Sequence, residues 1–167
     1  SDGLWPDPKG LIDELHEKGI RVLLWQIPVL KSLENEAPNK QNENDLSHML
    51  DNGYAVNTDS GDVYRVRPWW FPRGRVIGFT NPEATTWWIE KRRYLVEELG
   101  IDGFKTDGGE HLWGTDVLGH DGSKGDALAN RYPREYLKAY HQEAQRSGGV
   151  LFSRAGSPGV QKTPLHW

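Results

Sequence analysis

The sequence has no cysteine in 167 residues. That excludes a disulfide framework and any thiolate chemistry. No apolar run approaches membrane-spanning length, and no signal-peptide pattern opens the chain. With neither feature present, the cytoplasm is the favoured compartment, and no membrane partner is expected. Charge of one sign is also scarce. A net charge of −4 gives no footing for nucleic acid as a partner. A Gly-x-Gly-x-x-Gly run after a strand and a P-loop are both missing, so a nucleotide site has little support. No cofactor is expected. Oligomeric state is left open.

Tryptophan, in contrast, is abundant. There are 8 Trp, and aromatics reach 11% of a chain that is otherwise ordinary at 36% hydrophobic and 26% charged. That balance is enough for one core. Trp is enriched where flat, amphipathic surfaces are recognised, and sugar rings present such surfaces. The ends carry a further expectation. Ser1-Asp2-Gly3 lacks an initiator Met, and the chain stops at Leu165-His166-Trp167 without a closing element, as in an excerpt from a longer protein.

The elements alternate. Asp7 caps a helix that starts at Pro8, carries Leu11, Ile12 and Leu15 on one face, and ends at Gly19. Ile20 to Ile27 is a near-continuous apolar run of strand length, suited to a parallel strand buried on both faces, and Pro28 ends it. Residues 29–75 read as an insertion: a short helix over Leu46–Asn52, a hairpin of Tyr54–Asn57 and Val63–Val66, and an aromatic loop, Pro68-Trp69-Trp70-Phe71-Pro72. Val76–Phe79 is expected as a second strand. Asn81 then caps a helix to about Leu99, with Ala84, Trp87, Trp88, Leu95 and Leu99 as its buried face. A strand follows from Ile101, a glycine-rich loop over 111–124, a helix from about Pro133 to Gln145, and a strand at Val150–Ser153. A loop over 156–163 has room for one helical turn. Alternation of this kind implies parallel βαβ units. A complete (β/α)8 barrel needs about 250 residues, so four strands here amount to roughly half of one. A doubly wound open sheet is the alternative.

The strand from Ile101 ends in Asp107-Gly108-Gly109-Glu110. An acid at the C-terminal end of a parallel strand, followed by glycines that cannot continue it, suits an α/β active site. Asp before Gly-Gly is equally a common turn. Trp25 and Arg154 stand at the ends of two other strands.

Five segments in this order resemble the catalytic barrel of glycoside hydrolase family 31, which holds α-glucosidases, α-xylosidases and related enzymes. They are Trp5-Pro6-Asp7-Pro8 to Lys18-Gly19, Trp25-Gln26-Ile27-Pro28, Phe79-Thr80-Asn81-Pro82, Asp102 to Glu110, and Phe152-Ser153-Arg154-Ala155 with Pro164-Leu165-His166-Trp167. The resemblance implies part of a (β/α)8 barrel with an insertion after an early strand. It implies a retaining α-glycosidase acting on an oligosaccharide or α-glycoside. Asp107 would be the nucleophile, and a second acid about 5–5.5 Å away would serve as acid/base. That acid is expected beyond Trp167, so the isolated chain is expected to be inactive.

Glu110 joins Asp107 in the catalytic set as a group orienting the nucleophile loop. Arg154 would pair with Asp107 or bind sugar hydroxyls. Lys105, on the same side of its strand as Asp107, would contact a hydroxyl or tether Glu110. Trp25, Trp70 and Trp167 are expected as stacking walls, and His166 near the site or merely packed. An α-glucoside is the first expected substrate, an α-xyloside the second, and an α-galactoside falls in the same family. Two readings of other classes compete. Asp107, Glu110, His111, Asp116, His120 and Asp121 crowd one region, but their spacing fits no zinc or calcium loop. A non-catalytic carbohydrate-binding module would also account for the Trp content.

Overall fold

A computed structural model describes residues 5–34, 36–156, 158–163 and 165–166. Helix α1 (Pro8–Glu17) starts as the sequence dictates. The Asp7 carboxylate accepts the Gly10 amide at 2.8 Å, and proline fills the first turn. It stops at Gly19, whose φ of +73° lets its amide reach back to the His16 carbonyl.

Strand β1 (Leu23–Gln26) is shorter than the expected Ile20–Ile27 run. Ahead of it, the Asp102 carboxylate takes the Val22 amide at 2.7 Å, and behind it Pro28 supplies no donor. After β1 the chain leaves the sheet. Strand β2 (Val29–Leu30), helix α2 (Lys40–Asp51) and strand β3 (Asn57–Thr58) follow, then β4 (Arg75–Val76). Helix α2 begins six residues before the expected Leu46, because the Asn39 side chain caps it through the Asn42 amide. The hairpin is present in part. Asn57 and Val63 bridge, and Thr58 N–H reaches the Asp62 carbonyl, but β3 pairs with a later segment.

The expected strand over Val76–Phe79 is corrected. β4 runs antiparallel to β2, with Val29 opposite Val76, and does not enter the parallel sheet. The Val56 amide and the Ile77–Pro28 contact take its backbone groups, and Gly78 approaches the Tyr54 carbonyl so closely that it admits no side chain comfortably.

The single helix expected to run to Leu99 is two: α3 (Pro82–Glu90) and α4 (Arg93–Glu97). The Asn81 carboxamide caps α3 through the amides of Glu83 and Ala84. Strand β5 (Gly103–Thr106) follows, then β6 (Val117–Leu118), which is the partner of β3. Helix α5 (Gly125–Ser147) starts eight residues before the expected Pro133, which lies inside it. Proline forfeits a backbone hydrogen bond there. Leu128 and Tyr132, both fully buried just before it, outweigh that loss. Strand β7 (Val150–Ser153) and a 3-10 turn (Val160–Lys162) complete the described chain.

Among the described residues one parallel sheet forms, in the order β1-β5-β7, with Trp25 beside Lys105 and Lys105 beside Phe152. Helix α5 covers one face. Phe104, Tyr132, Tyr136, Leu137, Tyr140 and Leu151 are buried between them. Three buried phenols keep their hydroxyls bonded: Tyr132 to the Ile77 carbonyl, Tyr136 to the Gln26 carbonyl, and Tyr140 to the Gln26 side chain. Burial holds all three phenols well protonated. Trp88 is buried, as expected for that helix, and donates to the Tyr140 hydroxyl. The opposite face of the sheet bears Trp25 and Lys105.

Candidate active site

The middle strand carries the acid. Beyond β5 the chain continues one ladder step, with the Asp107 amide on the Gln26 carbonyl at 2.8 Å. Gly108 and Gly109 then turn the chain away with φ of +70° and +107°. A Cβ on Gly108 would lie 2.6 Å from the His111 ring, so the turn needs glycine for space as well as for φ.

Two hydrogen-bond donors and a guanidinium surround the Asp107 carboxylate, whose side chain is 15% exposed. Trp25 Nε1 donates to Oδ2 at 2.8 Å. The Gly108 amide donates to Oδ1 at 2.8 Å. Arg154 Nε lies 2.9 Å from Oδ1, out of line for a hydrogen bond, so that contact is ionic. The Arg154 guanidinium also donates through Nη2 to Glu110 Oε2 at 2.7 Å and sits 5.5 Å from the Trp70 ring centre. One arginine from β7's end thus joins both acids of the β5 loop. Such an arrangement holds the Asp107 carboxylate in one orientation.

Trp25 and Trp70 form a wall, with ring centres 5.9 Å apart. Lys105 lies on the same face as Asp107, two residues before it. His166 bridges to Ser153, and its ring bonds Thr163 Oγ1 at 3.0 Å and the Thr163 carbonyl at 2.9 Å. It is thereby engaged with the 160–163 turn. Trp167 lies outside the described residues.

His111 was visible only as one member of the acid-rich region. The structure gives it a particular place. It is 1% exposed, packs against both Trp69 and Trp70 with ring centres at 5.5 and 5.7 Å, and neither ring nitrogen has a hydrogen-bond partner among the described residues. Burial, with Arg154 nearby, lowers its pKa from 6.5 to about 4, while Asp107 pulls weakly the other way. His111 is therefore neutral at pH 7. An unfolded chain binds this proton near pH 6.5 and the fold does not until about pH 4. Stability should fall as pH drops through that window and flatten below it, by about 3 kcal/mol in all. Denaturation at a series of pH values checks this. The His111→Phe protein should lose that slope; an equal slope in both proteins would refute the assignment.

Asp116 pairs with Arg67, and Asp121 with Arg131 and Ser123. Among the described residues no group of three or more His, Asp or Glu is arranged to hold a metal ion.

The family model for the glycosyl hydrolases family 31 TIM-barrel domain matches residues 2–167. The chain belongs to glycosyl hydrolase family 31. The parallel sheet of this family 31 chain is accordingly an arc of a (β/α)8 barrel, and Asp107 and Arg154 stand at the C-terminal ends of its strands. The chain is 47% identical to the 1,3-alpha-isomaltosidase of Kribbella flavida over 99% of its own length and 23% of that enzyme's. It is 41% identical to the isomaltosyltransferase of Sporosarcina globispora, over 100% of this chain and 15% of the relative. The cycloalternan-forming enzyme from Listeria monocytogenes, solved in complex with a pentasaccharide substrate, superposes with a TM-score of 0.94 at 42% identity, covering 99% of this chain and 16% of that one. This family 31 chain thus spans a quarter or less of the length of these relatives. No helix among its described residues is long and apolar enough to cross a membrane.

Proposed function

We propose that this chain is the nucleophile-bearing part of a retaining α-glycosidase that acts on isomaltosyl-type α-glucosides. The observation that carries the reading is the Asp107 carboxylate, fixed by Trp25, Gly108 and Arg154 at the end of the central strand beside an aromatic wall. An oriented carboxylate with little solvent on it is suited to attack an anomeric carbon. As the Asp107 oxygen bonds to that carbon, the glycosidic C–O bond breaks, and a second carboxylic acid gives its proton to the leaving oxygen. Water then attacks the glycosyl ester, losing its proton to that same carboxylate, and Asp107 is released. Glu110 positions the pair through Arg154. In this reading Trp25 and Trp70 face the sugar at the reacting centre, and Lys105 meets a hydroxyl.

The sugar is read from the relatives: one is named for hydrolysing and another for transferring an isomaltosyl unit. Treatment of the full-length protein with a 5-fluoro-α-glucosyl fluoride, followed by peptide mapping, tests the reading. A glycosyl adduct on Asp107 is expected. Label on a different carboxylate would overturn the assignment of the nucleophile, and a folded protein left unlabelled would favour a binding module.

A further inference from the structure

The aromatic wall does not end at Trp70. Ring centres continue from Trp25 to Trp70 at 5.9 Å, to Trp69 at 6.0 Å with the plane turned by 70°, and to Trp113 at 5.0 Å with the two planes 33° apart. The last two are the exposed members of the far end, at 44% and 38%. Adjacent tryptophans partly open to solvent form an apolar patch, and such patches mark surfaces that a ligand or another part of a protein covers. The backbone beside each has its own anchor. The Tyr64 hydroxyl donates to the His111 carbonyl at 2.7 Å and accepts the Trp113 amide at 3.2 Å, which ties the segment after Asp107 to the aromatic loop's side of the molecule. Phe71 adopts φ of +60°, a conformation unfavourable for a bulky residue, and thereby fixes the turn that presents Trp69 and Trp70.

Charge lies beside the backbone just beyond Trp113. A side chain at Gly114 would touch Arg67 and Asp116, so these two flank the residue after Trp113. They are joined at 2.8 Å and remain nearly half exposed, at 47% and 42%. Flat aromatic faces bordered by a guanidinium and a carboxylate match a pyranose ring. The ring's C–H face packs on indole, and its rim of hydroxyls both donates and accepts.

We propose that Trp69 and Trp113, with Arg67 and Asp116 just beyond Trp113, form a second pyranose platform for a sugar of the same oligosaccharide, remote from the bond broken at Asp107. This rests on the function proposed above, and continuity of the aromatic chain with Trp25 and Trp70 selects the occupant.

The test compares two substrates on the full-length protein. α-Glucosyl fluoride places one ring at Asp107, whereas an α-linked gluco-tetrasaccharide reaches further. Trp113→Ala should lower kcat/KM for the tetrasaccharide about tenfold or more relative to its own value for the fluoride. Trp113→Phe, which keeps a flat face, should recover most of that ratio. A ratio that Trp113→Ala leaves unmoved, whether both activities fall together or neither does, would overturn the platform. So would a Phe variant as poor as Ala. If the unaltered protein turns over neither substrate, the functional reading fails on its own account, and calorimetric titration with the tetrasaccharide decides the platform. Tenfold weaker binding in Trp113→Ala supports it; equal binding, or no binding by the unaltered protein, sinks it.

Discussion

Replacing Asp107 by alanine in the full-length protein is expected to lower turnover of an α-glucoside by about four to six orders of magnitude. The size follows from the role. A residue that only positioned the substrate would cost far less, because the remaining contacts would still favour the transition state. Asp107→Asn is the sharper variant. It keeps the side-chain volume and an oxygen for Trp25 Nε1, whose donation to Oδ2 at 2.8 Å is part of the local packing. Its fold should be retained by circular dichroism while its activity is lost. Chemical rescue separates nucleophile from acid. In the alanine protein, azide can enter the space left by the carboxylate and attack α-glucosyl fluoride from the opposite face, expelling fluoride and giving a β-glucosyl azide. Appearance of that product is expected. An alanine variant that retains more than about a tenth of the activity would remove Asp107 from the reaction.

The sequence makes the acid and its surroundings legible because their signals are local. A capping Asp before Pro8, a capping Asn before Pro82 and a strand ending on Gly-Gly each reflect backbone chemistry within a few residues. Trp25, Asp107 and Arg154 emerged as strand-end residues on that basis, and the structure brings them within bonding distance. The failures have a common cause. Val76–Phe79 carries the apolar run of a buried strand, yet its partner is chosen by Pro28, Val29 and Val56, residues remote in the chain. Helix α5 continues through Pro133 because tertiary burial of Leu128 and Tyr132 is stronger than a local proline signal. His111 was hidden for the same reason. Its environment is assembled by Trp69 and Trp70 from the insertion, so no spacing within 107–121 announces it. The one available hint was the Trp69-Trp70-Phe71 run between two prolines, a costly composition for a loop with no task.

The same distinction between local and tertiary demand governs the largest expected change in stability, Gly103→Ala. Glycine here is easily mistaken for a strand start that any small residue would fill. Its φ of +149° is one that L residues rarely adopt, and an added Cβ would fall 1.9 Å from the Val150 carbonyl oxygen and 2.7 Å from the Val150 nitrogen. Both obstacles are backbone in the adjacent strand β7, so no side chain can rotate away. Accommodation would require moving β7 from β5, which strains the 2.7 Å bond from the Val150 amide to the Asp102 carbonyl. We expect a loss of about 4 kcal/mol or more, read as a lowered urea midpoint or a failure to accumulate folded protein. Gly19→Ala is the control. That residue also has positive φ, at +73°, but nothing lies within 4 Å of its would-be Cβ, so only about 1 kcal/mol is at stake. Equal, small effects at both positions would show that β5 and β7 do not approach as closely as this register requires. The consequence reaches the active site, because Arg154 follows β7 directly and its amide bonds the Thr106 carbonyl. A displaced β7 carries Arg154 away from Asp107, so any Gly103→Ala protein that does fold should be impaired in turnover while Trp25 and Trp70 remain in place.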